Sequence, residues 1–227
     1  MFCSNCGTAV EGGAVACVQC GIDLQPKAAA PPLGLNADRA VAASKDAARA
    51  VKLLLTDPVG SIGAAYDGFA PKAMDVGIAF CAFFILSSLL AIRIIALQFG
   101  GGFFSIGFKE VLKVLLIAAV PAACIIGIFI ALQLVTTKQK DIARAIFAGG
   151  AVLLPLALFN IVGGILGIGN WDVVSVVALF MICYMILLLY AGIRDVLKVS
   201  SPLAALSVPL VLIATWFLTK TILNAVL

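Results

Sequence analysis

Histidine is absent from the 227 residues of this chain. Its absence removes the commonest general base and the imidazole half of any Ser–His or Cys–His pair. It also removes every histidine-containing zinc site, leaving thiolates and carboxylates as ligands. Charge is scarce too. Asp, Glu, Lys and Arg make up 11% of the chain, against about 25% in ordinary soluble domains. A water-facing surface for so long a chain cannot be built from so few. There is no GxSxG elbow, no phosphate-binding glycine loop and no carboxylate pair in a plausible cleft. The chain is therefore read as not an enzyme, with no catalytic residues.

What the sequence has in plenty is apolar length, with 63% hydrophobic residues. Five windows hold no Asp, Glu, Lys or Arg: 76–92, 114–137, 145–171, 173–193 and 199–219. About twenty apolar residues in a helix cross a ~30 Å hydrocarbon core. Four windows meet that length. The first holds 17 residues and reaches it if Arg93 snorkels to the interface. The expected fold class is an all-α polytopic membrane protein with five transmembrane helices over 73–227. None of the five windows contains an acid, whereas ion-coupled transporters usually keep an intramembrane carboxylate. Ser87, Ser88, Gln133, Asn160 and Tyr184 can bond between helices or back to their own backbone. Cys81, Cys124 and Cys183 are read as small apolar side chains. Gly163-x3-Gly167 is read as the ordinary glycine richness of membrane helices.

The other four cysteines crowd the start of the chain as Cys3-x2-Cys6 and Cys17-x2-Cys20, each pair followed at once by glycine, Gly7 and Gly21. A two-residue gap lets one tight turn aim both sulfurs at one ion, and four thiolates close a tetrahedral Zn²⁺ site with no open position. Glycine after the second cysteine lets the backbone approach the sulfur and donate to it. Disulfides need an oxidising compartment, and a redox CxxC normally sits in a larger strand–helix domain. Neither accounts for two tandem CxxCG units. The stretch 1–24 resembles the zinc-ribbon (double CxxCG) modules at the N-terminus of many bacterial membrane proteins. Ser4 and Val18 stand where those modules often carry proline. The expectation is a small β-hairpin zinc ribbon over 1–24. A structural Zn²⁺ would be held by Cys3, Cys6, Cys17 and Cys20 and would supply most of the folding free energy of so small a unit. Residues 1–24 contain no Lys or Arg, which argues against nucleic acid as a partner. No charged n-region or apolar h-region precedes the ribbon, so no cleavable signal peptide is expected. Reduced thiolates belong in the cytosol.

Residues 25–35, with three prolines and a glycine, form an irregular linker. Residues 36–72 are expected to form cytoplasmic juxtamembrane helices. Asn36 can cap a helix over about 37–55. On its wheel Asp38, Arg39, Lys45, Asp46, Arg49 and Lys52 share one arc, opposite Ala40, Val41, Ala43, Ala47, Ala48, Val51, Leu54 and Leu55. Two readings stay open: an interfacial helix drawn to anionic lipid, or a helix packed on its own bundle or on a second subunit. Thr56 or Asp57 can cap a second segment over 58–70, with Pro58 at its first position and Val59, Ile62, Tyr66 and Phe69 on one face.

With a cytoplasmic N-terminus, eleven Lys and Arg lie inside and four lie outside or at the outer interface, which satisfies the positive-inside rule. The C-terminus is then external. Five spans preceded by the stretch LLLTDPVGSIGAAY resemble the Yip-type (Ypt-interacting protein) membrane family over about residues 50–222. Eukaryotic members of that family act in vesicle traffic and bind small GTPases, while bacterial members have no established activity. The fused ribbon points to a bacterial inner (plasma) membrane, so the resemblance implies the fold and not the trafficking role. The expected function is an integral membrane scaffold or adaptor whose ribbon docks a cytosolic or membrane protein. A homo-oligomer is compatible with it. The alternative is a small-solute permease or channel formed by the bundle.

Overall fold

The computed structural model describes residues 37–98, 107–137 and 141–226. The expected zinc ribbon, its four cysteines and the linker lie outside the described residues. Two short helices, α1 (Ala37–Thr56) and α2 (Ser61–Gly68), precede five long ones: α3 (Ala73–Gln98), α4 (Phe108–Thr136), α5 (Ile142–Leu166), α6 (Trp171–Ala191) and α7 (Ser201–Val226). Every described regular element is helical. The five candidate spans run 25 to 29 residues, the fourth counting the turn that carries α6 on to Val196. At 1.5 Å per residue each exceeds the hydrocarbon thickness. Their length and apolar composition are those of membrane spans.

α5 is the axis of the bundle. Its buried residues run from Ala145 through Ala157 to Gly164. α3 packs along it, α6 lies on another flank, α4 touches both α5 and α3, and α7 is laid against α4 and α6. The seam between α3 and α5 is held at backbone distance. A Cβ on Gly77 would sit 2.6 Å from the Ile146 carbonyl oxygen, and one on Gly150 would sit 2.5 Å from the carbonyl oxygen of Gly77. Only glycine allows this approach. Large side chains fill the space beside it, with Phe80, Phe129 and Phe147 fully buried.

Farther along the seam, Gln98 Nε2 donates to the carbonyl of Gly164 at 3.0 Å and so satisfies one of the open acceptors at the end of α5. Gly167 closes that end with φ 71°, and its N–H bonds the Gly163 carbonyl at 3.0 Å. Gly163 and Gly167 are thus no helix-packing pair. It is Gly164 that faces another helix, with a Cβ built there 3.2 Å from Ala91 Cα.

Pro121, Pro155 and Pro209 lie inside α4, α5 and α7. Each removes one bond to the carbonyl four residues before it, a loss that membrane helices accommodate. Pro202 sits in the first turn of α7, where a backbone N–H would have no partner within the helix.

The seam predicts an asymmetric response to adding one methyl group. Gly150→Ala and Gly77→Ala should each destabilise the detergent-solubilised protein by roughly 1–3 kcal/mol, the range for overpacking a tight contact. Gly127→Ala on α4, whose Cβ would meet nothing within 4 Å, should be neutral or mildly stabilising. Thermal unfolding of the three variants checks this; equal effects at all three positions would refute the close approach.

Candidate functional site: the charged end of the bundle

The charged side chains that pair across elements collect where α3 and α5 begin and α6 ends. α1 is fastened there. Ala47, Ala50 and Leu54, spaced by three and four, are buried against the bundle. Arg39 makes a two-pronged bond to Asp75 in the first turn of α3, Nε to Oδ2 at 2.9 Å and Nη2 to Oδ1 at 2.7 Å. This bond is the main reason the Arg39 guanidinium holds its proton more tightly than usual. Asp46, itself buried, takes Lys72 at 3.3 Å and Arg49 at 3.6 Å. The Tyr184 hydroxyl on α6 donates to the Leu54 carbonyl.

Of the two readings of α1, packing on its own bundle is the one the structure shows. The expected polar arc is divided by it. Arg39 and Asp46 turn toward the bundle because Asp75 and Lys72 lie opposite them. Lys45, Arg49 and Lys52 stay exposed, together with Val41, Leu53 and Leu55.

Between α1 and α2 the chain turns on Asp57, whose Oδ1 accepts the Gly60 N–H at 2.8 Å. That turn displaces the start of α2 from the expected Pro58 to Ser61. α2 then buries Ile62, Ala65 and Tyr66. The Tyr66 ring meets Phe147 edge-on, with centroids 5.5 Å apart, and Arg144 lies 5.6 Å from the Tyr66 ring centre. Burial raises the Tyr66 hydroxyl pKa, so it stays neutral at physiological pH. Asp141 caps α5 by accepting the Arg144 N–H at 3.3 Å, and its other oxygen lies 3.1 Å from Arg144 Nε. Gln133 at the end of α4 accepts the Asp141 N–H at 3.3 Å.

α6 runs into a π-helical turn, Gly192–Val196, marked by the Leu197 N–H bonding the Gly192 carbonyl at 3.0 Å. Lys198 follows with φ 59°, and the Val199 N–H reaches the Ile193 carbonyl at 3.2 Å. The wider turn brings Asp195 beside α2, where a Cβ on Gly63 would lie 3.1 Å from that of Asp195. Arg194 pairs with Asp195 through Nε at 2.6 Å and Nη2 at 2.7 Å and covers the Tyr190 ring. π turns are frequent at functional positions.

Within the spans three of the polar groups anticipated from sequence, Asn160, Ser87 and Ser88, come together. Asn160 Nδ2 on α5 donates to Ser88 Oγ on α3 at 2.8 Å and lies 3.4 Å from Ser87 Oγ. A second intramembrane feature was not anticipated. A cavity of about 410 Å³ is bounded by Phe84 of α3, Pro121 of α4, Val152, Leu153 and Leu156 of α5, Met185 and Leu189 of α6, and Val211, Leu212, Thr215, Trp216, Thr219 and Lys220 of α7. Thr215 and Thr219, four residues apart on one face of α7 and next to Lys220, were the available signal.

Among the described residues no three His, Cys, Asp or Glu side chains come together as a metal site. The metal expectation therefore rests on Cys3, Cys6, Cys17 and Cys20. Compared with family models, curated proteins and solved structures, the chain matches none.

The docking of α1 yields a direct test. Asp75→Asn keeps the shape but removes the charge that Arg39 grips. Amide hydrogen exchange across residues 43–54 should accelerate, while the α3–α5 seam keeps its protection. Unchanged exchange in α1 would show that its apolar face alone holds it.

Proposed function

We propose that this protein is an integral membrane scaffold or adaptor of Yip-like type. In this reading a structural zinc ribbon, with Cys3, Cys6, Cys17 and Cys20 as ligands, docks a cytosolic or membrane protein, and the five-helix bundle anchors it. One observation carries the reading: α1 is fastened to the bundle by Arg39–Asp75, Asp46–Lys72 and Tyr184–Leu54. The segment before residue 37 is thereby joined to a helix held at the membrane-embedded unit. Pairing of Asn160 with Ser88, and of Gln98 with Gly164, gives the intramembrane polar groups a structural use. Two short helices ahead of five spans accord with the Yip-like resemblance.

The distribution of basic residues supports a cytoplasmic N-terminus, an external C-terminus and residence in a bacterial inner membrane. The second reading, a small-solute permease or channel, draws on the cavity beside α7.

The test uses the full-length protein. Metal analysis should find about one zinc per chain for a four-thiolate site. Cys3→Ser with Cys6→Ser should abolish zinc and co-purification of the partner while leaving membrane insertion and thermal unfolding of the spans unchanged. Zinc-free wild-type protein that still captures its partner would defeat the ribbon's role. Solute flux in proteoliposomes, lost on blocking the cavity, would favour the permease.

A further inference from the structure

The cavity on α7 carries an inference independent of the adaptor reading. Its wall is overwhelmingly carbon, yet two hydroxyls in it, Thr215 Oγ1 and Thr219 Oγ1, are buried without a hydrogen-bond partner. Five other described hydroxyls behave differently. Ser88, Thr136, Thr137, Ser207 and Thr221 all bond back to the carbonyl four residues earlier in their helices, the usual solution for a hydroxyl in an apolar helix. A four-residue spacing puts Thr215 and Thr219 on one face of α7, and both line the same space. Buried polar groups left unpaired in a native structure call for an explanation, a ligand among them.

The lining also has a direction. Val211 and Leu212 stand deepest, then Thr215, then Thr219, then Lys220, a rise of about 14 Å along the helix. Apolar wall, hydroxyl donors and a cation follow one another in that order. Lys220 lies 5.2 Å over the ring of Trp216. Trp216 is 64% exposed on the outside of the bundle while lining the cavity. The space therefore opens sideways, toward the acyl chains of a bilayer. Its volume lies within the roughly 300–1,000 Å³ of ligand sites.

We propose that this cavity binds one acyl chain of an anionic glycerophospholipid entering from the leaflet at the Lys220 end of α7. The chain fills the apolar part. The ester carbonyls, which accept but cannot donate, take the Thr215 and Thr219 hydroxyl protons. The phosphate lies at the ammonium of Lys220, beside the indole of Trp216, a residue type suited to the headgroup level. A water-filled path would need polar groups along its depth, and the inner wall offers none.

The chain has two tryptophans, so a Trp171→Phe background isolates Trp216. That protein is reconstituted in phosphatidylcholine with increasing phosphatidylglycerol, either lipid carrying brominated chains, and quenching of Trp216 is followed. Brominated phosphatidylglycerol should quench preferentially, by about fivefold in relative affinity for one basic contact. Thr215→Val with Thr219→Val, which keeps the side-chain shape, and Leu212→Phe with Leu156→Phe, which narrows the cavity without adding a tryptophan, should each remove most of that preference. Lys220→Gln should remove the headgroup discrimination while quenching by both lipids persists. Equal quenching by both lipids in the parent protein overturns the proposal. So does a preference lost in Lys220→Gln but intact in the threonine and Leu212 variants, which marks surface charge attraction with an empty cavity. Thermal unfolding of each variant confirms the bundle, and the threonine pair serves as the test if the Leu212→Phe variant fails to fold.

Discussion

The structure depends on one close contact, the meeting of α3 and α5 backbones at Gly77 and Gly150. In lipid no hydrophobic force drives apolar helices together, because acyl chains solvate them as well as other helices do. Association then rests on dispersion over closely fitted surfaces and on polar contacts. Glycine serves the first by letting backbones approach. It also fixes register. With Gly77 against Ile146 and Phe147, the two helices must begin at the same end and run side by side. Ser88 then falls opposite Asn160, and Gln98 reaches the last turn of α5. The polar bonds along the seam are consequences of the register that the glycines allow.

The same register assembles the charged end. Asp75 stands at the start of α3, and Arg144 and Asp141 at the start of α5. Their common level provides a platform for α1 and α2. Neither short helix is apolar enough to hold itself in the bilayer, and alanine on the docking face of α1 buries little area. Ion pairs and the Tyr184 bond complete the attachment. An isolated surface ion pair contributes little. Here the carboxylates are partly withdrawn from water, and the pairs accompany apolar burial of Leu54, Ile62 and Tyr66.

The five spans could be read from sequence because freedom from charge is a direct requirement of the hydrocarbon core. The same rule misplaced one boundary. The window 145–171 runs past the end of α5 at Leu166, since Gly167 and the 3₁₀ turn Ile168–Asn170 are uncharged yet separate α5 from α6. Absence of charge reports compatibility with lipid, not helicity. The face of α1 was legible only at Ala47 and Leu54; Ala40, Val41, Ala48 and Leu55 of the expected apolar arc are exposed, and Arg39 and Asp46 were misread. Their partners lie 36 and 26 residues away, and no local periodicity carries that information. Among 21 glycines nothing in the sequence singles out Gly77 and Gly150. Which glycines meet is decided by helix register, a tertiary property. The four-cysteine spacing is local chemistry of the kind a sequence carries directly, and it lies outside the described residues.

α5 separates two unlike seams. Toward α3 it presents Gly150 in backbone contact, and that seam is closed. Across the cavity from α7 it presents the branched side chains Val152, Leu153 and Leu156. Pro121 lines the same space on α4, and proline removes a backbone donor from the helix that carries it. α7 is held mainly through α4 and α6, so the bundle can keep an open space beside it without disturbing the α3–α5 axis. A single tight seam carries the architecture and positions the charged end. That leaves the loosely filled side of α5 free to hold something other than protein. Two hydroxyls with no partner in the protein stand on that side.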